Sequence, residues 1–179
     1  MTNPATRTPR RGPRALMAAT LALAGLALAA PAGAAPTATP LGQYGSWTAA
    51  AFGQGEARSC YILATPTSAE PATLRHGEVH FFIKESETAQ RTESSLQAGY
   101  DFESGSEVTV TIGDETFRMI TQGSHAWLRR IEREPELLAA MRAGRVMALE
   151  ARSGRGNETR YEFSLSGVTA ASRHLANCE

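Results

Sequence analysis

The residues with the clearest capacity for chemistry are two histidines four positions apart, His76 and His80. A zinc site built on this spacing needs both histidines on one helix, with a glutamate directly after the first. Gly77 stands in the glutamate's place, and the segment leads into a predicted strand. Residues four apart on a strand are separated by about 13 Å, too far to share one ion. We therefore expect surface or edge histidines here, and neither a metal nor a cofactor.

Serine-based catalysis has no local support, because the chain contains no Gly-x-Ser-x-Gly turn of the kind that exposes a nucleophile. Catalytic groups often meet from distant loops, so a triad assembled in space stays open. Besides a serine, its members would come from His125, His174, Asp101 and Asp114.

Paired carboxylates are a second route to catalysis, and two pairs are close in sequence: Glu103 with Glu107, and Glu85 with Glu87. General acid–base chemistry needs a pocket that raises the pKa of one member. Nothing in the sequence indicates such a pocket, so we interpret these pairs as solvated surface.

A glycine-rich arginine loop is the remaining candidate. Arg152 and Arg155 belong to the segment 152–157, and Arg160 follows it. The charge and flexibility of this segment suit the binding of an anion or another ligand. A hairpin loop whose glycines adopt positive φ explains the same composition, and we favour that interpretation.

Residues 1–34 have the composition of a secretory signal peptide. A basic head is followed by the apolar run 15–30 and by Ala32-Gly33-Ala34, which predicts cleavage before Ala35. The apolar run is short for a membrane span, which needs about 20 apolar residues. We expect a periplasmic or secreted protein with no transmembrane segment after cleavage, and a disordered Ala/Pro/Thr-rich tail at 35–45.

Charge excludes one class of partner. Four of the 18 basic residues and none of the 18 acidic ones lie within 1–34, which leaves residues 35–179 with a formal charge of −4. A nucleic-acid-binding domain would carry a basic face or stripe. We therefore expect no nucleic-acid partner.

The two cysteines, Cys60 and Cys178, lie near opposite ends of the predicted domain. An even cysteine count in an oxidising compartment favours a disulfide. A metal site would need further ligands at chelating spacing, and a reactive thiol is the other alternative. We predict one structural disulfide between Cys60 and Cys178.

The remaining pattern predicts a mainly β domain over 46–179: an antiparallel β-sandwich or partly closed barrel with one short inserted helix and a C-terminal helix. Alternation is clearest at 107–112, where Val108, Val110 and Ile112 share one face. The other predicted strands are 47–52, 57–65, 78–84, 92–100, 116–120, 145–151 and 159–165. The segment 65–77 is interpreted as a loop, and 134–143 and 169–177 as helices. The helical spacing of Trp127, Ile131 and Leu138 predicts that they pack in the core.

Most of this domain resembles one known family. The matching residues are Trp47, Cys60, Tyr61, Pro66, 99–102, 105–113, Phe117, 126–128, 138–144, 151–156, 161–167, 169–171 and Cys178. In their order and spacing they are similar to the invasion associated locus B family of bacterial exported proteins. The resemblance implies a link to host-cell invasion in some members, and it supplies no catalytic residues.

Taken together, these observations favour an exported, non-catalytic protein that acts by binding or by envelope maintenance, with an unidentified envelope or host-surface protein as its partner. The alternatives are a small envelope hydrolase and a periplasmic inhibitor or chaperone-like module. A cleft that pairs a histidine with a carboxylate or serine would favour the enzyme. An exposed apolar patch would favour a binding surface.

Overall fold

A computed structural model describes residues 38–86, 91–176 and 178. The predicted signal peptide at 1–34 lies outside the described residues. The strands are β1 (Thr39–Tyr44), β2 (Trp47–Phe52), β3 (Ser59–Ala64), β4 (Ser68–Glu70), β5 (His80–Ser86), β6 (Arg91–Gln97), β7 (Glu107–Ile112), β8 (Glu115–Gln122), β9 (His125–Leu128), β10 (Val146–Arg152) and β11 (Glu158–Ser164). The helices are α1 (Glu134–Ala143) and α2 (Val168–Ala171), with short 3-10 turns at Gly55–Ala57, Ile131–Arg133 and Ser172–Leu175.

The strands described form one antiparallel sheet in the order β1-β2-β3-β5-β6-β9-β8-β7-β10-β11-β4. β1 and β4 are its edges, so the sheet is not closed. It nevertheless folds over its own inner face, because Phe81 on β5 contacts Phe163 on β11, with ring centroids 6.0 Å apart. Trp47 packs edge-on against Phe81, and its indole N–H donates to the carbonyl oxygen of Ser164 at 3.0 Å.

The core follows from alternation along the strands. In β7, Val108 and Val110 are fully buried while the intervening threonines are part-exposed, as period-two patterning requires. The same rule buries Phe117 and Met119 on β8, the direct partners of those valines. Burial of these apolar side chains is the main source of the domain's stability.

Helix α1 is fixed to the sheet by a buried carboxylate. Glu134, 1% exposed, accepts hydrogen bonds from the Ser94 backbone N–H at 2.8 Å and from its hydroxyl at 2.7 Å. Burial raises the pKa of Glu134 above its usual value of 4.5, and the hydrogen bonds from Ser94 oppose part of that rise. Pro135 occupies the first turn and Gly144 follows the last residue, as the sequence indicated.

The C-terminal end is held in two ways. Cys60 on β3, fully buried, forms a disulfide with Cys178 across a sequence separation of 118. Before it, α2 begins after Gly167, whose φ is +95°. A Cβ at that position would lie 1.8 Å from the carbonyl oxygen of Tyr44, so only glycine allows β1 and α2 to approach.

The structure confirms the mainly β antiparallel fold, the inserted helix and the disulfide. The predicted hairpin around Gly53-Gln54-Gly55 forms between β2 and β3, and α1 has the predicted bounds. The predicted C-terminal helix begins at Val168 as α2 and continues as a 3-10 turn through Leu175.

Three expectations need correction. The segment 35–45, expected to be a disordered tail, contains β1, which pairs along its length with β2. The predicted loop 65–77 contains the short edge strand β4, which pairs with β11. Trp127 and Ile131 are not core residues: Trp127 lies part-exposed on β9, and Ile131 is 51% exposed, because a strand and a short turn replace the helix that their spacing suggested. Leu138 is buried as expected.

Candidate functional site

An open cavity of about 820 Å³ lies among three loops, and we call it the loop cleft. One wall comes from the segment that follows β4, another from the segment after β6, and the third from the β10–β11 hairpin. The lining residues are Thr73, Leu74, Arg75, His76, Gly99, Tyr100, Asp101, Ser153, Gly154, Arg155, Asn157 and Thr159.

Backbone contacts hold these loops together. Gly77 and Gly99 cross so closely that a Cβ on Gly99 would lie 2.5 Å from the Gly77 Cα, which excludes any larger residue there. The amide of Gly154 donates to the carbonyl oxygen of Asp101 at 2.8 Å, and Ser153 forms an isolated β-bridge with Phe102. The cleft is therefore built on fixed backbone rather than on free loops.

A chain of hydrogen bonds runs beneath the cleft and links its walls. His76 Nδ1 lies 2.9 Å from the Tyr161 hydroxyl, which lies 3.0 Å from the Tyr100 hydroxyl, which in turn lies 2.6 Å from Thr159 Oγ1. Burial raises the pKa of Tyr161, and its hydrogen bond to Tyr100 raises it further. Tyr161 is therefore a neutral hydrogen-bonding group.

The donors at the two ends of this chain follow from carbonyl oxygens, which only accept. Nε2 of His76 lies 3.0 Å from the carbonyl oxygen of Pro71, so Nε2 donates. At the other end Thr159 donates to the Ala151 carbonyl oxygen at 3.2 Å, and within the chain Tyr161 donates to Tyr100. Both ring nitrogens of His76 are engaged, so His76 holds the cleft together.

Charge in the cleft comes from two arginines. Arg75 and Arg155 both line it, and neither forms an ion pair with another residue that the structure describes. Asp101, the acidic residue of the lining, is likewise free of ion pairs within the described residues. Together, these three groups give the cleft a formal charge of +1.

The three arginines of the predicted arginine loop have different surroundings in the structure. Arg152 lies 3.5 Å from carboxylate oxygens of both Glu103 and Glu158. Arg160 pairs with Glu150 at 2.7 Å and with Glu162 at 3.4 Å. Of the three arginines, Arg155 is therefore the one available to a ligand in the cleft. The loop is also a hairpin, since it joins the paired strands β10 and β11 and Gly156 has a φ of +80°.

The other histidines lie in separate surroundings. His80 packs against Phe82 on the same strand, with ring centroids 5.7 Å apart. His174 Nε2 lies 2.7 Å from the Tyr44 hydroxyl, and His125 Nδ1 lies 3.3 Å from the hydroxyl of its neighbour Ser124. None of the carboxylates in the described part of the chain bonds to these rings, so the structure does not assemble the triad left open by the sequence.

One of the two glutamate pairs is engaged with arginines. Glu103 pairs with Arg152 and Glu107 with Arg129, so these two carboxylates do not face each other. Glu87 lies outside the described residues. Across 38–86, 91–176 and 178, no group of three histidine, cysteine, aspartate or glutamate side chains converges as metal ligands would.

Sequence reasoning did not find the central members of the cleft. His76 drew attention for metal binding, whereas its partners Tyr100, Tyr161 and Thr159 and the second arginine, Arg75, did not. They lie on three separate segments, and no spacing rule connects these segments. Their common feature, a place at one end of the sheet, appears only when the strand order is known.

Fold and site define a small single-sheet antiparallel β domain, closed by one disulfide, with an open cationic cleft. The family model for invasion associated locus B proteins matches residues 47–176. The chain belongs to the invasion associated locus B family.

A solved structure supports the same fold. Invasion associated protein b from Bartonella henselae is similar, with a TM-score of 0.57 and 14% sequence identity over 76% of this chain and 96% of that chain. Identity this low shows the fold alone. A search of curated proteins found no match. Among the described helices, none is both long and apolar enough to cross a membrane.

Proposed function

We propose that the chain is an exported, non-catalytic binding protein of the bacterial envelope, and that its loop cleft holds an acidic group of an envelope or host-surface protein. The observation that carries this proposal is the difference among neighbouring arginines. Arg152 and Arg160 are neutralised by glutamates, while Arg75 and Arg155 face the cleft without such partners among the described residues. A carboxylate or phosphate entering the cleft would supply the missing negative charge.

Export is supported by the disulfide and by the sequence of the first 34 residues. Disulfides persist in oxidising compartments and are rare in the bacterial cytoplasm. We propose that residues 1–34 are removed as a signal peptide and that the protein acts in the periplasm or after secretion. Mass spectrometry of the protein recovered from those fractions should find an N-terminus at Ala35; a start before Ala29 would contradict the proposal.

The absence of catalysis is supported by the state of His76. A general base must reach the proton it removes, within about 3.2 Å. Both nitrogens of His76 are occupied by Pro71 and Tyr161, and no serine hydroxyl bonds to it within the described residues. This arrangement fixes the ring and suits binding better than proton transfer.

The test uses matched double variants and a tetraglutamate peptide as the probe. Arg75→Ser/Arg155→Ser and Arg152→Ser/Arg160→Ser change the charge equally but differ in whether the lost arginines face the cleft. We expect the peptide to shift the amide resonances of Tyr100 and Asn157 in the wild type and in the second variant. The first variant should lose these shifts, and the peptide should be recovered with unchanged mass. Equal binding by both variants, or a cleaved peptide, would contradict the proposal.

A further inference from the structure

The solvent-facing side of five adjacent strands carries large apolar side chains. Such a face is normally polar when the opposite face packs on the core. Strand register places five residues in one row across β3, β5, β6, β9 and β8, which we call the outer row: Leu63, Phe82, Ser95, Trp127 and Ile120. Ile120 is 48% exposed, and the other members are part-exposed.

Polar groups able to make hydrogen bonds lie beside the outer row. The adjacent row contains His80, Gln97, His125 and Gln122. The His125 ring stacks on Trp127, with centroids 5.7 Å apart and planes 14° apart. Neither glutamine amide bonds to another described residue. The face therefore combines aromatic rings with unengaged amide donors and acceptors.

The charged groups beside this face are engaged by neighbouring side chains. Lys84 pairs with Glu93 at 3.2 Å, Arg129 pairs with Glu107, and Arg118 donates to the Thr109 hydroxyl. A charged ligand would have to compete with these contacts. A neutral ligand would not, so electrostatic complementarity favours an uncharged occupant.

The size of the face excludes a large protein partner. Four strand spacings make the outer row about 19 Å long, and three side-chain positions along a strand span about 14 Å, which gives an area of roughly 270 Å². A stable protein–protein interface buries about 800 Å² on each side. A second copy of this chain would therefore need much more surface than the face offers.

We infer that the outer row binds a neutral, linear oligosaccharide built of N-acetylhexosamine units. The C–H groups on a sugar ring face carry partial positive charge and pack on the negative face of an aromatic ring. The hydroxyl and acetamido groups at the ring edge can bond to Gln97 and Gln122. This binding chemistry does not depend on the proposed export.

The spacing of the rings supports this occupant. Phe82 and Trp127 lie two strands apart, which is about 10 Å and close to the length of a disaccharide unit. Ser95 lies between them in the outer row and is much smaller than either ring. A glycan chain lying across the strands would place one ring near Phe82 and another near Trp127.

Tetra-N-acetylchitotetraose is the probe, and the purified protein offers an internal reporter. Of its two tryptophans, Trp47 is fully buried and Trp127 lies on the outer row. We expect a saturable change in fluorescence that is absent in Trp127→Phe, where only Trp47 remains. Trp127→Ala should weaken binding about tenfold or more, whereas Phe52→Ala, which removes a 46% exposed ring elsewhere, should leave affinity within about twofold.

Each other outcome overturns the inference. If the wild type shows no change at millimolar tetraose, or if Trp127→Ala binds as the wild type does, the outer row is not a glycan site. Equal binding of a sialylated trisaccharide would exclude a neutral N-acetylhexosamine chain as its specific ligand. A dimer that Trp127→Ala dissociates would assign the face to a second copy. Arg75→Ser/Arg155→Ser should bind the tetraose normally, so failure of the loop cleft and failure of the outer row are separable.

Discussion

Removing the disulfide should cost this domain a large share of its stability. The bond between Cys60 and Cys178 closes a loop with a sequence separation of 118. In the chain-entropy model, a loop of that length restricts the unfolded state by about 5 kcal/mol at 25 °C. Native domains have total stabilities of about 5–15 kcal/mol, so the bond accounts for a third or more of the free energy of unfolding.

Guanidinium unfolding of three samples measures this contribution: the oxidised protein, the same protein reduced, and Cys60→Ala/Cys178→Ala. The reduced protein keeps both sulfur atoms, so it separates the cross-link from packing at Cys60, which is fully buried. We expect reduction to lower the free energy of unfolding by about 3–5 kcal/mol. The denaturant dependence should become steeper, because the unfolded chain without the cross-link exposes more surface.

A small effect would refute the reasoning. If the reduced protein retains stability to within about 1 kcal/mol of the oxidised form, loop entropy is not the main contribution of this bond. If the double variant is much less stable than the reduced protein, packing of the Cys60 side chain contributes the difference. Hydrogen exchange adds a local readout, since reduction should expose the amides of 168–176 before those of the central strands.

Two further predictions concern the core and its buried carboxylate. Trp47→Ala should lower the free energy of unfolding by about 3–5 kcal/mol, because Trp47 is fully buried and donates to Ser164. Trp127→Ala should lower it by less than about 1 kcal/mol. Comparable losses in the two variants would contradict the placement of the two tryptophans. Burial raises the pKa of Glu134 above 4.5, so the folded state holds that proton more tightly than the unfolded state. The free energy of unfolding should therefore fall as pH rises from about 4.5 through the folded-state pKa. This decline should be absent in Glu134→Gln. If the wild type and the variant give parallel profiles of stability against pH, ionisation of Glu134 is not coupled to folding.

Local pattern was sufficient for the elements whose neighbours in the sheet are also neighbours in sequence. β7 and β8 are joined at Gly113-Asp114, and the alternation of Val108, Val110 and Ile112 identifies the buried face without knowledge of the fold. Helix α1 could also be predicted from the sequence, because Pro135 and Gly144 mark its ends. In these segments propensity, periodicity and turn residues all predict the same structure.

The strands that the sequence pattern did not predict form because they pair with other strands of the sheet. β1 contains Pro40 and Gly42, a composition typical of a flexible tail, yet its pairing with β2 makes it a strand with an irregularity between those residues. β4 has only three residues before Pro71 and exists through its pairing with β11. β9 has four residues, too few for alternation to outweigh the apparent helical spacing that begins at Trp127.

The loop cleft could not be predicted from the sequence, because it also depends on contacts between distant segments. Motif searches detect catalytic groups that lie close in sequence, whereas His76, Tyr100 and Tyr161 meet only after Gly77 and Gly99 have crossed. The arginine loop was a better guide, because one of its arginines, Arg155, does line the cleft. The sequence could not show which arginines are neutralised, since the partners of Arg152 and Arg160 include Glu103 and Glu150, which are distant in sequence.

The outward position of Trp127 follows from register. The β8–β9 hairpin turns through Gly123 and Ser124, with a φ of +57° at Gly123, and pairs Gln122 with His125. A slip of one residue would turn Trp127 inward and expose Ala126 and Leu128, which are now buried. Those two side chains fill the space beneath β9, so the core does not accommodate an indole at position 127. The core therefore enforces a register that holds a large aromatic side chain outward, where the proposed glycan contact requires it.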